Sequence, residues 1–250
     1  MADAFVLAAG QDHGRLAEMA GTPYRALIEV SGRPMVERVL TALRGTQGVQ
    51  RILTVAPQQV RERISPDLAD LIVPPGETLL DNIELGLAAL GDSGMVMFAH
   101  CDAPLVTPAA FDDFLGQAEP LGADLAYAIV AKEDVEHKFP HGHRTYARMR
   151  DGTFTGTNVV LVKGDFIARH RDLVRQFYHH RKNPLRLAGM LGAGFILRLL
   201  SGRMTLAHLE QRLGQLLGGQ ARAIISRYPE LAFDVDKPED LQQIRTILGD

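Results

Sequence analysis

Cysteine is nearly absent from this 250-residue chain, which has Cys101 alone, and tryptophan is missing altogether. A lone thiol excludes an internal disulfide framework and a cysteine-based zinc site, and it fits a reducing compartment. Long apolar runs are missing as well. The longest, Leu187–Leu200, contains Arg198 and is too short to span a bilayer. Nor is there an excess of positive charge. A net charge of −3 and a pI near 6.3 argue against a general nucleic-acid binder, which would be basic. The N-terminus enters an apolar strand with no basic stretch and apolar run ahead of it, so a cytoplasmic protein without a signal peptide is expected. Linkers, internal repeats and low-complexity tracts are absent, and 1–250 reads as a single α/β domain.

What is present is an alternation of short apolar strands and amphipathic helices. Strands are expected at Ala4–Ala8, Arg51–Val55, Leu71–Val73, Met95–Ala99 and Asp124–Val130. Helices are expected at Pro34–Leu43, Leu79–Leu90 and Pro108–Ala118, two of them opened by proline. Such βαβ order implies a mostly parallel sheet with helices on both faces and ligands beyond the carboxyl ends of the strands. Past Lys132 the pattern changes. Strands Thr145–Met149 and Asn158–Lys163 flank the turn Asp151-Gly152. Helices follow at Asp165–Arg181, Leu185–Leu200 and Leu206–Leu217, then a strand Ala221–Ser226. Leu231–Val235 leads into a closing helix, Pro238–Leu248.

Three short stretches carry chemistry. Leu7-Ala8-Ala9-Gly10 leaves the first strand through small residues, which lets backbone amides approach a phosphate. Asp102 follows the strand Met95–Ala99. Asp234 and Asp236 lie two apart, so on a strand they would share a face, just ahead of the helix at Pro238. A phosphate-sized loop with acidic residues at the ends of different strands suggests a metal-bridged polyphosphate site.

These stretches, with Ala26-Leu27-Ile28-Glu29-Val30-Ser31-Gly32-Arg33-Pro34-Met35-Val36, Cys101-Asp102-Ala103-Pro104 and Asp234-Val235-Asp236-Lys237-Pro238-Glu239-Asp240-Leu241, resemble the MobA-like nucleotidyltransferases in order and spacing. Only the helical region near 165–217 lacks a counterpart. The resemblance implies a GT-A-type, Rossmann-like three-layer fold with a mixed, mostly parallel sheet. It implies attack by a phosphorylated or otherwise anionic acceptor on the α-phosphate of an NTP, with release of pyrophosphate. By the same resemblance the Gly10–Arg15 loop, with Gly14, wraps the triphosphate, and Arg15 neutralises it. Arg25 stands where the family has a lysine, a swap of a point charge for a planar fork. The loop Gly10-Gln11-Asp12-His13-Gly14-Arg15 is longer than the usual Gly-x-Gly-x-Arg.

Transfer of this kind needs charge neutralisation more than acid–base chemistry, and Mg2+ held by carboxylates and substrate phosphates is the usual solution. Asp102 and Asp236 form the expected ligand pair, with Asp234 as helper. Each has a structural alternative. Asp102 could cap the helix behind Pro104 and Pro108, and Asp236 could cap the one behind Pro238. Asn82, beyond Pro75-Gly76-Glu77-Thr78, resembles the family's base-reading position, or is simply a polar residue opening a helix. Asn158 resembles the acceptor-side asparagine, or is a turn residue.

His137, His141 and His143 sit in one loop, but with no cysteine or acidic partner nearby a zinc site is disfavoured. Lys138 and Arg144 in that loop suit an anionic acceptor better. Cys101 reads as a small apolar residue, with no base beside it. The basic stretch from Arg169 through Arg186 reads as a helical subdomain or a dimer contact. A lip for a large acceptor or an anionic membrane surface is its sharper alternative. Two other classes compete: a non-catalytic nucleotide sensor, and a GT-A glycosyltransferase, whose Asp-x-Asp motif would here come very late in the chain. The glycine spacing of a nicotinamide dehydrogenase is not met.

Overall fold

A computed structural model describes residues 1–140, 142, 144–170 and 192–249. Its centre is β1 (Ala2–Leu7), whose residues 2–6 are all buried, as a strand covered on both faces must be. It pairs in parallel with β4 (Val49–Val55) and β6 (Met95–His100), placing Phe5 opposite both Leu53 and Phe98. The sheet runs β10-β7-β9-β6-β1-β4-β5, with β5 at Leu71–Val73, β7 at Leu125–Ala131, β9 at Gly152–Lys163 and β10 at Ala221–Ser226. β9 is antiparallel to both β6 and β7, β8 (Ala147–Met149) pairs onto it, and the other pairs on this path are parallel. A small ribbon, β2 (Glu29–Val30) with β3 (Arg33–Pro34), lies outside the sheet.

The chain moves from β1 outward to β4 and β5, then crosses back to put β6 on the other side of β1. That reversal opens a crevice at the carboxyl ends of β1 and β6, where open α/β sheets bind ligands. Leu7 and His100 are register partners at its floor.

Two helical layers close the faces. α2 (Met35–Arg44) and α5 (Pro108–Ala118) bury Leu40, Leu43, Phe111 and Phe114 on one side. On the other, α4 (Leu79–Leu90), α7 (Gly164–Arg169) and α9 (Leu206–Leu217) pack Leu90, Phe166 and Leu217 against Phe5 and Phe98. Each such large side chain contributes about 1.5–3 kcal/mol by leaving water. A third cluster, around Val135, Phe139, Phe233, Leu241 and Ile244, joins α6 (Lys132–Lys138) to α10 (Pro238–Leu248). The remaining α-helices among the described residues are α1 (Arg15–Ala20), α3 (Gln58–Arg61) and α8 (Ala193–Leu200). Among the described residues no helix is long and apolar enough to cross a membrane.

Several sequence expectations need correction. Asp234 and Asp236 do not lie on a strand: a 3-10 turn, Pro229–Ala232, replaces the extended segment at Leu231–Val235. β9 begins at Gly152, so Asn158 falls inside a strand and not in a turn. Its pairing with β7 shifts register between Tyr127 and Ile129, beside Asn158. The short helices α1, α3 and α6 were not legible, since each spans only one or two turns. Of the two helices expected over Asp165–Arg181 and Leu185–Leu200, only α7 and α8 fall within the described residues. The basic stretch 171–186, His141 and His143 lie outside them.

Candidate nucleotide and metal site

The crevice holds a cavity of about 680 Å³ lined by Leu7, Ala9, Gly10, Arg25, Asn82 and Asp102, among others. Ala8, between two of these, is buried in the core. Residues 75–78 form one wall, and local chemistry explains their shape. Thr78 accepts the Asp81 amide at 3.2 Å while the Asp81 carboxylate accepts the Thr78 amide at 2.8 Å, a reciprocal cap that starts α4. Asn82, one residue on, accepts the Gly76 amide at 2.8 Å and so fastens the wall to the helix. Cys101 is buried in the floor. Burial, with the Asp102 charge next to it, pushes its thiol well up, which disfavours the thiolate a nucleophile needs.

Asp102 stands at the centre. It is 7 % exposed, and its Oδ1 has no hydrogen-bond partner. Burial raises its pKa, with Asp234 and Asp236 adding to the rise and His100 and Arg25 opposing it. The Arg25 guanidinium faces three carboxylates: Nη1 lies 2.5 Å from Asp236 Oδ1 and 3.6 Å from Asp102 Oδ2, and Nη2 lies 3.4 Å from Asp12 Oδ2. Burial works against the Arg25 charge, but Asp236, Asp102 and Asp12 together outweigh it and its pKa rises.

Neither capping alternative describes these aspartates. Thr107 caps α5, accepting the Ala110 amide at 3.3 Å. Asp240 serves the start of α10, accepting the Lys237 and Asp236 amides at 3.0 and 3.1 Å. Asp236 therefore presents its carboxylate to Arg25, and Asp102 is held by its main chain, whose carbonyl accepts the Val235 amide at 2.9 Å.

The donor set suits a hard divalent cation. Asp102 offers a buried oxygen with no hydrogen-bond partner, His100 Nδ1 standing 4.0 Å from it, and Asp236 and Asp234 are near enough to be felt as charges. Among the described residues no group of three or more His, Cys, Asp or Glu is placed to hold an ion unaided. An ion here would depend on substrate oxygens as well, as Mg2+ does with phosphates.

The Gly10–Arg15 loop is clasped to 23–25: the Asp12 amide donates to Pro23 O at 2.8 Å and the Arg25 amide to Gly10 O at 3.3 Å. Asp12 accepts the Gly14 amide at 2.7 Å. That amide, then the Ala17 amide and Arg25, hold the Asp12 carboxyl below its ordinary range, against a counteracting effect of burial. Arg15 is exposed, 4.0 Å from Glu239, and is not part of the cavity lining.

A second cavity, about 550 Å³, opens beside the carboxylates and is lined by Tyr127, Arg144, Asn158, Asp234, Asp236 and Lys237, among others. Tyr127 donates to Thr157 O at 2.8 Å, passing directly over Gly156, where any Cβ would strike the phenol oxygen. The Arg144 side chain is largely covered, 9 % exposed. It donates to Asp234 O at 2.9 Å, lies 3.6 Å from Asp234 Oδ1 and 3.4 Å from Asp240 Oδ1, and sits over the Phe233 ring. It fastens the 234–240 segment while bordering the cavity. Lys138 pairs with Glu230 at 2.6 Å, and neither cavity includes it.

The structure thus gathers Leu7, Ala9, Gly10, Arg25, Asn82 and Asp102 about one cavity and Arg144, Asn158, Asp234 and Asp236 about the next. Sequence reasoning passed over Asp12 and Tyr127. For Asp12 a signal existed, an acidic residue where the family pattern has glycine.

Phosphoenolpyruvate guanylyltransferase of Conexibacter woesei is 27% identical over 244 residues, covering 94% of this chain and 82% of that protein. 2-C-methyl-D-erythritol 4-phosphate cytidylyltransferase of Pelotomaculum thermopropionicum is 30% identical over 132 residues; the match takes in 49% of this chain and spans only 55% of that protein's length. A solved structure described as a hypothetical transferase from Thermus thermophilus superposes with a TM-score of 0.86 at 38% identity, covering 96% of this chain and all of that one. The MobA-like NTP transferase domain matches residues 4–231, which takes in Gly10, Arg25, Asn82, Asp102, Arg144 and Asn158 and stops short of Asp234 and Asp236. The chain belongs to the MobA-like NTP transferase family, a family of nucleotidyltransferases.

Proposed function

We propose that residues 1–250 form one cytoplasmic nucleotidyltransferase domain that moves an NMP from an NTP to a phosphorylated or otherwise anionic acceptor, with Mg2+ as cofactor. The observation that carries this reading is Asp102, whose buried oxygen without a hydrogen-bond partner lines the first cavity at the switch point of the sheet, and which Arg25 links to Asp236 in the lining of the second. The first cavity is assigned to the nucleotide and the second to the acceptor. The relatives support the pairing. One bears the name of a cytidylyltransferase and one of a guanylyltransferase, and both names carry a phosphorylated acceptor.

An acceptor oxygen attacks the α-phosphorus, a new O–P bond forms, and the bond to the β-phosphate bridging oxygen breaks. The electron pair leaves with pyrophosphate. A phosphate or carboxylate acceptor is already ionised at neutral pH, so no general base is required. Mg2+ on Asp102 and Asp236, with Asp234 assisting, would supply charge neutralisation at the phosphates. The chain's own residues orient and shield. Ala9 and Gly10 bring backbone to the triphosphate, with Ala8 and Leu7 supporting them, while Gly14, whose amide Asp12 accepts, shapes the loop. Arg25 and Arg15 offset its charge, and Asn82 holds the wall against which the base lies. Asn158 and Arg144 border the acceptor.

A matrix of the four NTPs against phosphorylated metabolites, with Mg2+ and detection of pyrophosphate, tests the reading. Pyrophosphate that requires both substrates supports it. Nucleotide binding without turnover would identify a sensor instead, and sugar transfer from a nucleotide-sugar a glycosyltransferase.

A further inference from the structure

We propose that Arg25 is a resident counter-cation, competing with the divalent ion for the Asp102–Asp236 pair and passing to the triphosphate when the metal–nucleotide complex arrives. The proposal rests on the assignment of those two carboxylates as ion ligands, and it concerns the order in which charges enter the site.

The geometry is specific. One guanidinium nitrogen lies against both carboxylates, at 2.5 Å from Asp236 Oδ1 and 3.6 Å from Asp102 Oδ2, while the other turns to Asp12 at 3.4 Å. Three carboxylates are thus served by one planar fork, which a lysine ammonium could not reach in this way. The other carboxylate felt by Asp102, that of Asp234, is answered separately by Arg144. With Arg25 in place the charge on the pair is already partly balanced. A divalent ion entering the same gap would meet a fixed positive charge within van der Waals reach and would lose Asp236 as a ligand. The Arg25 side chain also lines the cavity assigned to the nucleotide. A triphosphate there offers the guanidinium new anionic partners, so it can leave the carboxylates without being stranded. The free ion is therefore expected to bind weakly, and the ion to enter together with nucleotide.

The test is an Mn2+ titration of the protein without nucleotide, read by the EPR signal of free Mn2+. Arg25→Gln should tighten Mn2+ by about tenfold, the equivalent of one lost competing ion pair, although the same variant should lose NTP turnover. Asp102→Asn added to it should abolish the gain. If Arg25→Gln does not fold, Arg25→Lys keeps the charge and should give a smaller gain in the same direction. Unchanged or weaker Mn2+ binding in a folded Arg25 variant overturns the proposal, even where wild-type protein releases pyrophosphate. Tightening that depends on Asp102 sustains it, even if no acceptor is found. Binding indifferent to both Arg25 and Asp102 overturns the ion site itself.

Discussion

The carbonyl of Asp102 accepts the main-chain amide of Val235 at 2.9 Å, joining the end of β6 to the segment that carries Asp234 and Asp236. Three like charges are held together by backbone, so their repulsion cannot be relieved by the chain moving apart. It is offset locally instead, by Arg25 on one side and Arg144 on the other.

Asp102→Asn keeps the shape of the side chain and the main-chain bond to Val235, but halves the charge of the proposed ligand pair. Turnover should fall by at least about 100-fold, a typical loss when charge stabilisation is removed from the transition state. The melting temperature should hold or rise, because a buried carboxylate with an unsatisfied oxygen is replaced by a neutral group. Near-normal turnover would take Asp102 out of the site.

Asp236 and Asp240 are four residues apart and should behave oppositely. Asp236→Asn should raise the Mg2+ requirement with little change in melting. In combination with Asp102→Asn it should lose little more turnover than either alone, as expected of ligands to one ion. Asp240→Asn removes the acceptor for two amides at the start of α10 and a partner of Arg144, and should cost about 1–3 kcal/mol. Multiplicative losses for the first pair, or a stability-neutral Asp240→Asn, contradict these assignments.

Much of this was legible in the chain. β1, β4 and β6 announce themselves as apolar runs because a central parallel strand is buried on both faces. α4 and α5 begin where Thr78 and Thr107 can cap them. Asp102 was visible as an acid at a strand end. The partnerships were not: Arg25 and Asp236 are separated by 211 positions, and only the folded sheet brings them together. Nor could sequence choose between capping and ligand roles for Asp236, since the choice depends on Asp240 taking the amides first.

Two glycines should separate packing from binding. Gly86 lets α4 lie directly on Phe5, and a Cβ there would overlap the ring. Gly86→Ala should cost about 1–3 kcal/mol through overpacking. Gly10 has no atom within 4 Å of where its Cβ would stand, so Gly10→Val should change stability little. Its branched side chain would project where phosphates must approach the backbone, and calorimetry should show NTP affinity falling far more than melting temperature. Equal affinity would make Gly10 a merely structural residue.

Asp3 gives a pH signature away from the site. Burial pushes its pKa up, but hydrogen bonds from Arg51 (3.0 and 2.5 Å) and Ser93 (2.6 Å) outweigh this and the pKa is lowered. A depressed folded value means stability present above the unfolded value of about 4 and lost as pH falls through the folded one. Asp3→Asn should therefore destabilise at pH 7, by about 1–3 kcal/mol. The gap to wild type in urea melts should narrow on acidification below about pH 4. A gap that is constant with pH would mean that the Asp3 charge contributes nothing.

The central claim is cleavage between the α- and β-phosphates, and labelled nucleotide tests it most directly. With an acceptor and Mg2+ present, label in the α-phosphate should appear in the acceptor product, and label in the γ-phosphate should appear in pyrophosphate. Both should vanish in Asp102→Asn. Release of γ-label as inorganic phosphate, with α-label left in nucleoside diphosphate, would contradict the account.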